Sequence, residues 1–202
     1  MKKKIAAVVV TYNRLELLKE TLKALSKEKN IDILLIDNAS TDGTDKYIKR
    51  LKQKNLIYVN TGKNLGGAGG FNRGVREAIE RGYDYAWLMD DDTIVYEDSL
   101  NELLKSAKYL KDDFSFLCSY VEWIDNSYCK MNIPRIYTKW FDNLELLQHK
   151  LLKVRSCTFV SVLVNLEVAK KTALPITQFF IYGDDHEYTE RLNKFKNGYL
   201  SF

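Results

Sequence analysis

Apolar runs alternate with amphipathic segments along the first half of the chain. Four short runs have the length and composition of strands buried in a sheet: Ile5–Val10, Ile33–Ile36, Leu56–Val59 and Tyr85–Met89. The segments between them carry apolar residues at helical spacing. Leucines at positions 15, 18, 22 and 25 form the clearest set, with Asn13 as the expected N-cap. Strands separated by single helices predict a parallel α/β sheet.

The pattern is less regular beyond Leu110. The predicted strands there are Phe114–Tyr120, Cys157–Val164, Phe179–Tyr182 and Tyr199–Phe202. The predicted helices are Leu144–Leu152, a segment that ends at Leu174 and Pro175, and Asp184–Phe195, which Gly198 terminates. We find no linker, repeat or low-complexity tract, so we expect one domain over residues 1–202.

Composition narrows the class of protein. The 202 residues are 46% hydrophobic and 29% charged, a balance typical of a globular domain. The net charge of +4 is too small to predict nucleic-acid binding. The longest apolar run falls far short of the roughly 20 residues that span a bilayer. The three cysteines show no CxxC spacing and predict neither a disulfide framework nor a zinc site.

We therefore expect a reduced, cytoplasmic protein. Residues Lys139–Arg155 combine leucines with several basic side chains. This segment is interpreted as a helix docked on the core, with peripheral contact to an anionic membrane surface as the alternative. The sequence gives no indication of the oligomeric state.

Polar residues follow each of the first four predicted strands. They are Thr11 and Asn13, then Asp37 and Asn38, then a glycine-dense loop over residues 64–70, and finally Asp90, Asp91 and Asp92. In open α/β sheets, ligands bind outside the carboxyl ends of the strands, so these four clusters predict a binding site at one edge. Asx and Gly residues also make turns and caps, which is the structural alternative for each cluster taken singly.

The three consecutive aspartates carry the most specific signal. Their carboxylates repel one another, and no Lys or Arg stands beside them in the sequence. A hard divalent cation would relieve that repulsion, with oxygen ligands from Asp90 and Asp92 and with substrate phosphate completing the shell. A surface turn is the alternative.

Two further motifs are less specific. The glycine-dense loop contains neither GxGxxG nor a P-loop, and it fits close approach of a ligand, helix packing or a flexible turn equally well. Asp184 and Asp185 begin a predicted helix, where the macrodipole favours acidic residues, although adjacent carboxylates also suit a general base. His149 and His186, the two histidines, are expected at the surface.

Five motifs in order resemble the family-2 glycosyltransferases with the GT-A fold. They are VVVTYNR, IDNASTDGT, NLGGAGGFNRG, WLMDDD and FFIYGDDHEY. The glycine loop and the DDD form resemble the branch that contains galactofuranosyltransferases and rhamnosyltransferases. The resemblance implies a GT-A-type single α/β domain, with a mostly parallel central sheet flanked by helices. Residues 1–110 would bind the nucleotide sugar, and residues 111–202 would form the acceptor side and carry the base.

The resemblance also implies residue roles. The nucleotide would be held by Thr11, Asn13, Asp37, Asn38 and Asp91. The donor sugar or diphosphate would lie beside Gly66, Gly67, Gly69 and Arg73. Asp90 and Asp92 would bind Mn²⁺ or Mg²⁺, Asp185 would be the catalytic base, and Asp184 would bind the acceptor or orient the base.

The implied activity is that of an inverting, metal-dependent hexosyltransferase, such as a rhamnosyl- or galactofuranosyltransferase. It would move a sugar from a UDP- or dTDP-linked donor to a glycan or lipid-linked acceptor in cell-surface polysaccharide synthesis. A membrane-bound form would lie at the inner face of the membrane. The alternatives are a sugar nucleotidyltransferase and a catalytically incomplete module that binds nucleotide or metal.

Three departures from the family pattern accompany this resemblance. Val95 stands in a stretch where related enzymes often carry proline. Residues Phe159–Val162 contain no glycine, whereas the corresponding strand usually has one. A further metal ligand, often His, commonly follows the last helix, whereas the sequence stops at Phe202. We therefore expect a chain cut short of that ligand.

Overall fold

A nine-stranded sheet forms the centre of the protein, which we describe from a computed structural model over residues 3–137 and 139–202. Its strands are β1 (Ile5–Thr11), β2 (Asp32–Asp37), β3 (Leu56–Asn60), β4 (Tyr85–Asp90), β5 (Phe116–Ser119), β6 (Arg135–Ile136), β7 (Leu151–Ser156), β8 (Val162–Asn165) and β9 (Gly198–Ser201). The α-helices are α1 (Leu15–Leu25), α2 (Thr44–Arg50), α3 (Gly66–Glu80), α4 (Ser99–Tyr109), α5 (Leu166–Ala169) and α6 (Asp184–Leu192). Three 3₁₀-helices cover Lys130–Asn132, Trp140–His149 and Thr177–Phe179.

The first strand is buried on both faces. Ala6, Val8 and Val10 belong to one core, which α3 and α6 cover, while Ile5, Ala7 and Val9 belong to the other, which α1 and α4 cover. Side chains alternate between the two faces of a strand, so a run of six apolar residues supplies both cores at once. Two apolar layers thus hold β1 at the centre of the first half.

The sheet has the strand order β3-β2-β1-β4-β8-β5-β9-β7-β6. Within the described residues, β7 and β8 run opposite to the other seven strands. The sheet is therefore mostly parallel, as expected for a GT-A domain, but not entirely. Two parallel strands need a long connection, usually a helix. In the described part of the chain, β5, β6 and β7 follow one another without an α-helix between them.

Several predicted elements of the second half were wrong. The predicted helix Leu144–Leu152 is the 3₁₀-helix Trp140–His149 followed by β7, because Lys150 adopts a left-handed φ of 55° that ends the helix. The predicted strand Cys157–Val164 begins only at Val162, after Ser161 with a φ of 54°. Within Phe179–Tyr182, Phe180 and Tyr182 have φ values of 56° and 70°, which exclude a strand.

Element ends also differ from the predictions. The segment expected to end at Leu174 and Pro175 is the short helix α5, which ends at Ala169. Helix α6 stops at Leu192 rather than Phe195. Gly198 starts β9 instead of terminating a helix, and a Cβ on it would lie 2.1 Å from the ring of Phe116.

The expected cap of α1 was wrong as well. Asn13 has a left-handed φ of 53°, and Arg14 occupies the cap position without a side-chain cap bond. The Asp42 carboxylate accepts instead from the Leu15 backbone N–H at 2.9 Å. A residue that is distant in sequence thus accepts one of the backbone N–H groups that the first turn of this helix leaves without an intrahelical partner.

The segment Lys139–Arg155 does not form the docked helix that we expected. Leu151 is fully buried in β7 and Leu146 packs against the core, whereas Leu144 and Leu147 are exposed. Among residues 3–137 and 139–202, no helix is long and apolar enough to cross a membrane.

Candidate active site

The carboxyl ends of three central strands meet at one edge of the sheet. In the parallel register, Thr11 at the end of β1 pairs with Asp37 at the end of β2. Val10 pairs with Asp90 at the end of β4. The polar residues that follow the first, second and fourth predicted strands are therefore brought together, as the sequence predicted.

Asp91 is buried and fully engaged. Its carboxylate accepts from the Thr11 hydroxyl at 2.7 Å and from Arg14 Nη1 at 3.2 Å, and its backbone carbonyl accepts from Thr21. Burial raises the pKa of this carboxyl, although the bonds to Thr11 and Arg14 oppose the rise. Because both oxygens are occupied, Asp91 serves in this structure to tie β4 to β1.

Arg14 also reaches Asp92, with 2.9 Å between Nη1 and Oδ2. No basic residue is adjacent to the aspartates in the sequence, but the fold brings Arg14 to them. Arg14 directly follows the polar cluster after β1, and the register of β1 with β4 carries it to the triplet. The other missed residue is Tyr58, whose hydroxyl donates to Asp37 at 2.5 Å.

Asp90 differs from its two neighbours, because Arg14 acts on it through charge alone and not through a hydrogen bond. Within the described residues, no side chain or backbone group donates a hydrogen bond to its carboxylate. Burial, and then repulsion from Asp92 and Asp91, raises the pKa of Asp90 to about 7. A hard cation bound by oxygen ligands would remove this unfavourable charge, so the donor set fits Mn²⁺ or Mg²⁺.

The described residues do not complete that donor set by themselves. Among the described residues, no group of three or more His, Cys, Asp and Glu side chains is arranged to hold a metal ion. Asp90 and Asp92 could supply two carboxylates, and Asp92 would have to leave Arg14 or share it. A cation here would need oxygen ligands from its substrate as well.

The polar residues after β2 form a hydrogen-bonded cluster with the loop after β1. Asp37 accepts from the Ser40 backbone N–H at 2.8 Å and from the Tyr58 hydroxyl. Burial, together with the hydrogen bond to Asp37, raises the pKa of Tyr58 to about 12. Asn13 accepts from the Thr41 backbone N–H at 2.6 Å. These bonds join the loops after β1 and β2 into one unit.

Asn38 extends this cluster towards α3. Its amide Nδ2 donates to the Gly66 carbonyl at 2.9 Å, while its Oδ1 is buried and has no hydrogen-bond partner within the described residues. A buried acceptor without a donor is costly, which is compatible with a ligand group that completes it.

The glycines form the first turn of α3, not a loop. A Cβ on Gly66, whose φ is 71°, would lie 2.2 Å from the Phe180 carbonyl oxygen, and one on Gly69 would lie 2.4 Å from Leu65. Gly67 has more room, with that same carbonyl oxygen 4.0 Å away. The Ala68 N–H donates to the Phe180 carbonyl at 3.1 Å, so part of the α3 N-terminus is already bonded.

Arg73 lies one turn further along α3 and pairs with Glu77, at 2.7 Å between Nη2 and Oε1. Its side chain is 44% exposed, so a donor group could still reach it. Close packing therefore accounts for Gly66 and Gly69, while the donor roles assigned to this turn and to Arg73 remain predictions.

The second acidic pair lies at the start of α6. Asp184 is buried, and burial together with repulsion from Asp185 raises its pKa to about 6. The charge of Asp184 also contributes to the raised pKa of Asp90, which places the two carboxylates within electrostatic range. Asp185 accepts from the His186 backbone N–H at 2.6 Å. The sheet edge and α6 thus face a common region.

The histidines differ from each other. His186 is half-buried rather than at the surface, with Nδ1 2.9 Å from the Ser156 hydroxyl, and burial lowers its pKa. His149 is exposed as expected, and its ring stacks on Tyr109 with 3.8 Å between centroids.

Comparisons with known proteins show the family and the fold of the chain. Residues 6–170 match the family described as Glycosyl transferase family 2. Over 109 residues the chain is 33% identical to the poly-beta-1,6-N-acetyl-D-glucosamine synthase of Staphylococcus aureus (strain COL), covering 52% of this chain and 26% of that protein. Over 89 residues it is 37% identical to galactofuranosyltransferase GlfT1 of Mycolicibacterium smegmatis, covering 44% of this chain and 30% of that protein.

A solved structure shares the fold. The mannosyltransferase PcManGT from Pyrobaculum calidifontis, in complex with GDP-Man and Mn²⁺, superposes with a TM-score of 0.73 at 16% identity. The match covers 100% of this chain and 55% of that one. The chain thus matches about a quarter to a third of the length of these curated relatives, and about half of this structural neighbour.

Proposed function

The chain belongs to glycosyl transferase family 2, and from that premise we propose that it transfers a hexosyl group from a nucleoside-diphosphate sugar to a glycan or lipid-linked acceptor. The reaction would contribute to cell-surface polysaccharide synthesis. It would take place in the cytoplasm, at the inner face of the membrane when the acceptor is lipid-linked. A galactofuranosyl or N-acetylglucosaminyl donor agrees with the names of the relatives, and a rhamnosyl donor is the alternative from the sequence.

One observation carries this proposal. The Asp90 carboxylate, at the edge where β1, β2 and β4 end, accepts no hydrogen bond within the described residues, and the charge of the buried Asp184 carboxylate acts on it. A nucleotide held by Thr11, Asn13, Asp37 and Asn38 would project its diphosphate towards Asp90 and Asp92. The bound cation would neutralise the negative charge of the departing nucleoside diphosphate.

The acidic pair of α6 would act on the acceptor. Asp185 would take the proton of the acceptor hydroxyl as that oxygen attacks the anomeric carbon from the face opposite the leaving group, which inverts the configuration. Asp184 would bind the acceptor or orient Asp185. The pKa of Asp184 near 6 also suits proton transfer near neutral pH, so exchange of these two roles is the specific alternative.

Two matched variants separate these assignments. We expect Asp185→Asn to lose transfer while nucleotide affinity is unchanged, and Asp184→Asn to raise the acceptor KM more than it lowers kcat. The opposite pattern would make Asp184 the base. Retention of full transfer in both variants would exclude the pair from the chemistry.

A module that binds nucleotide without turnover is the second candidate, since no three-ligand metal group occurs in the described residues. Thermal shifts with Mn²⁺ and a panel of UDP, dTDP and GDP test the binding shared by both candidates. Stabilisation that needs both metal and nucleotide is the expected result, and no response to any combination would contradict both candidates. Product formation from a nucleotide sugar then distinguishes the enzyme from the module.

A further inference from the structure

A hairpin follows β5 and is not used by the chemistry proposed above. Residues 120–129 fold back on themselves, with the Trp123 N–H donating to the Ser127 carbonyl at 2.8 Å and the Cys129 N–H donating to the Val121 carbonyl at 3.0 Å. Asn126 takes the left-handed conformation at the turn, with a φ of 62°. These bonds fix the backbone, so the side chains that it presents are held in place.

One face of this hairpin carries tyrosines around a carboxylate. Glu122 and Tyr128 are bridge partners, and the rings of Tyr120 and Tyr128 stack with 4.8 Å between centroids. Tyr96, from the loop that precedes α4, donates its hydroxyl to Glu122 Oε2 at 2.8 Å. We call Tyr96, Tyr120, Glu122 and Tyr128 the tyrosine face. Trp123 directly follows Glu122 and is exposed, so we expect its side chain on the opposite face, by the alternation of extended chains.

The tyrosine face is open to solvent and lies close to the candidate active site in the fold. Tyr96 is 63% and Tyr120 is 45% exposed. The hairpin begins where β5 ends, and only β8 separates β5 from β4, which ends at Asp90. Tyr96 belongs to the loop that directly continues from Asp92, and its bond to Glu122 connects that loop to the hairpin.

The chemistry of the face discriminates among ligands. Flat aromatic rings can cover the C–H faces of a pyranose or furanose ring, while phenol hydroxyls and a carboxylate pair with sugar hydroxyls. In the described part of the chain, no Lys or Arg forms an ion pair with Glu122. The uncompensated carboxylate disfavours phosphate groups and anionic lipid headgroups.

We propose that the tyrosine face binds an uncharged glycan, the acceptor of the transfer described above. That the glycan is an acceptor rests on the proposed function, whereas its binding to the tyrosine face does not depend on turnover. The face would hold sugar units next to the reacting one, so it would select a glycan acceptor over a bare lipid carrier.

Calorimetric titration with uncharged oligosaccharides tests this proposal. The probes are oligomers of β-1,6-linked N-acetylglucosamine, of galactofuranose and of glucose, with phosphatidylcholine vesicles containing phosphatidylglycerol as the lipid alternative. We expect the protein to bind at least one oligosaccharide, and Tyr96→Ala to weaken that binding by about tenfold, the equivalent of one well-placed ring contact. Tyr96→Phe, which keeps the ring, should lose less.

Trp123→Ala is the matched control, because it removes an exposed aromatic ring from the other face of the same hairpin. It should leave oligosaccharide affinity unchanged, and all three variants should bind nucleotide like the unmodified protein. Equal losses in Trp123→Ala and Tyr96→Ala, no binding of any oligosaccharide, or binding to vesicles alone would overturn the proposal. If nucleotide binding is absent while Tyr96→Ala still loses oligosaccharide selectively, the proposed transferase function fails and the glycan site stands.

Discussion

At the level of single residues, the candidate site and its surroundings combine buried carboxyl groups with residues that have positive φ values. Asp90, Asp91 and Asp184 have raised pKa values whose first cause is burial. Carboxyl groups whose pKa is raised by burial cluster at functional sites, because a bound ligand can offset the free energy that burying the charge costs the free protein.

Asp184 makes stability depend on pH in a defined window. Its pKa is about 6 in the folded protein and 3.8 as the reference value, so between about pH 4 and pH 6 the folded state binds more protons than the unfolded state. The stabilisation is fully present below pH 4 and is lost as the pH rises through 6. We expect Asp184→Asn to remove this decline, which amounts to roughly 1–2 kcal/mol after allowance for solvent screening.

Urea unfolding of both proteins between pH 4 and pH 7 measures the difference. Asp125→Asn, in the exposed turn of the hairpin, is the control and should keep the unmodified profile. Parallel profiles for Asp184→Asn and the unmodified protein would show that Asp184 does not titrate in this window.

Ser161 combines a strained backbone with one buried and one partly buried hydrogen bond. Its φ is 54°, its hydroxyl accepts from the Trp87 indole N–H at 3.0 Å, and it shares a 2.7 Å bond with the Ser119 hydroxyl. Ser161→Ala should destabilise the fold by about 1–3 kcal/mol, because the Trp87 N–H would lose its partner.

Ser161→Gly should cost less than Ser161→Ala, since glycine adopts positive φ without strain. Denaturant midpoints at constant m-value give the comparison. Equal losses would mean that the backbone at this position is unstrained. The absence of glycine from Phe159–Val162, noted in the sequence as a departure from the family pattern, thus has a local structural counterpart in Ser161.

At the scale of elements, α3 is held by glycines that act through packing. A Cβ on Gly70 would lie 2.4 Å from Val10 Cγ1, and one on Gly74 would lie 2.2 Å from Val8 Cγ1. The helix can therefore lie against β1 only because these side chains are missing. The sequence left helix packing open as one explanation of the glycine-dense loop over residues 64–70, and for Gly70 the distance to Val10 favours it.

Gly70→Ala and Gly67→Ala form a matched pair within one turn of α3. Gly70→Ala should destabilise the protein by about 1–3 kcal/mol, because Val10 is fixed in the core and cannot yield freely. Gly67→Ala should be neutral or stabilising by up to about 1 kcal/mol through helix propensity, since its nearest atom is 4.0 Å away. Thermal unfolding measures both, and equal effects would contradict the packing explanation.

Elements with a clear hydrophobic pattern in the sequence were predictable, whereas elements fixed by tertiary contacts were not. The runs that became β1, β2 and β4 are apolar throughout and were recognised from sequence alone. The positive φ values at Lys150, Ser161 and Phe180 have no signal in a hydrophobic pattern, so the elements around them were misplaced. These residues are held in position by neighbours that are distant along the chain.

At the scale of the whole molecule, the candidate site depends on sheet register. Thr11, Asp37 and Asp90 are up to 79 positions apart in sequence, yet neighbouring strands bring them to one edge. The sequence predicted that edge from the parallel arrangement. It missed the pairing of Arg14 with Asp91 and Asp92, because a one-dimensional pattern does not show which strands are neighbours.

The reversed strand β8 divides the sheet between its two predicted roles. On one side, β1 to β4 carry the predicted nucleotide residues, and on the other side β5 leads to the tyrosine face. Under this account, donor and acceptor approach the edge from different halves of one continuous sheet. The proposals about the two halves can therefore be tested separately.

The central claim is that Asp90 and Asp92 couple nucleotide binding to a divalent cation. Calorimetric titration of UDP, dTDP and GDP into the protein, with and without Mn²⁺, tests it most directly, using Asp92→Ala and the exposed-surface control Glu16→Ala. We predict that at least one nucleotide binds only when Mn²⁺ is present, that Asp92→Ala abolishes this binding, and that Glu16→Ala retains it. Unchanged, metal-dependent affinity in Asp92→Ala, or nucleotide binding that ignores Mn²⁺, would contradict the account.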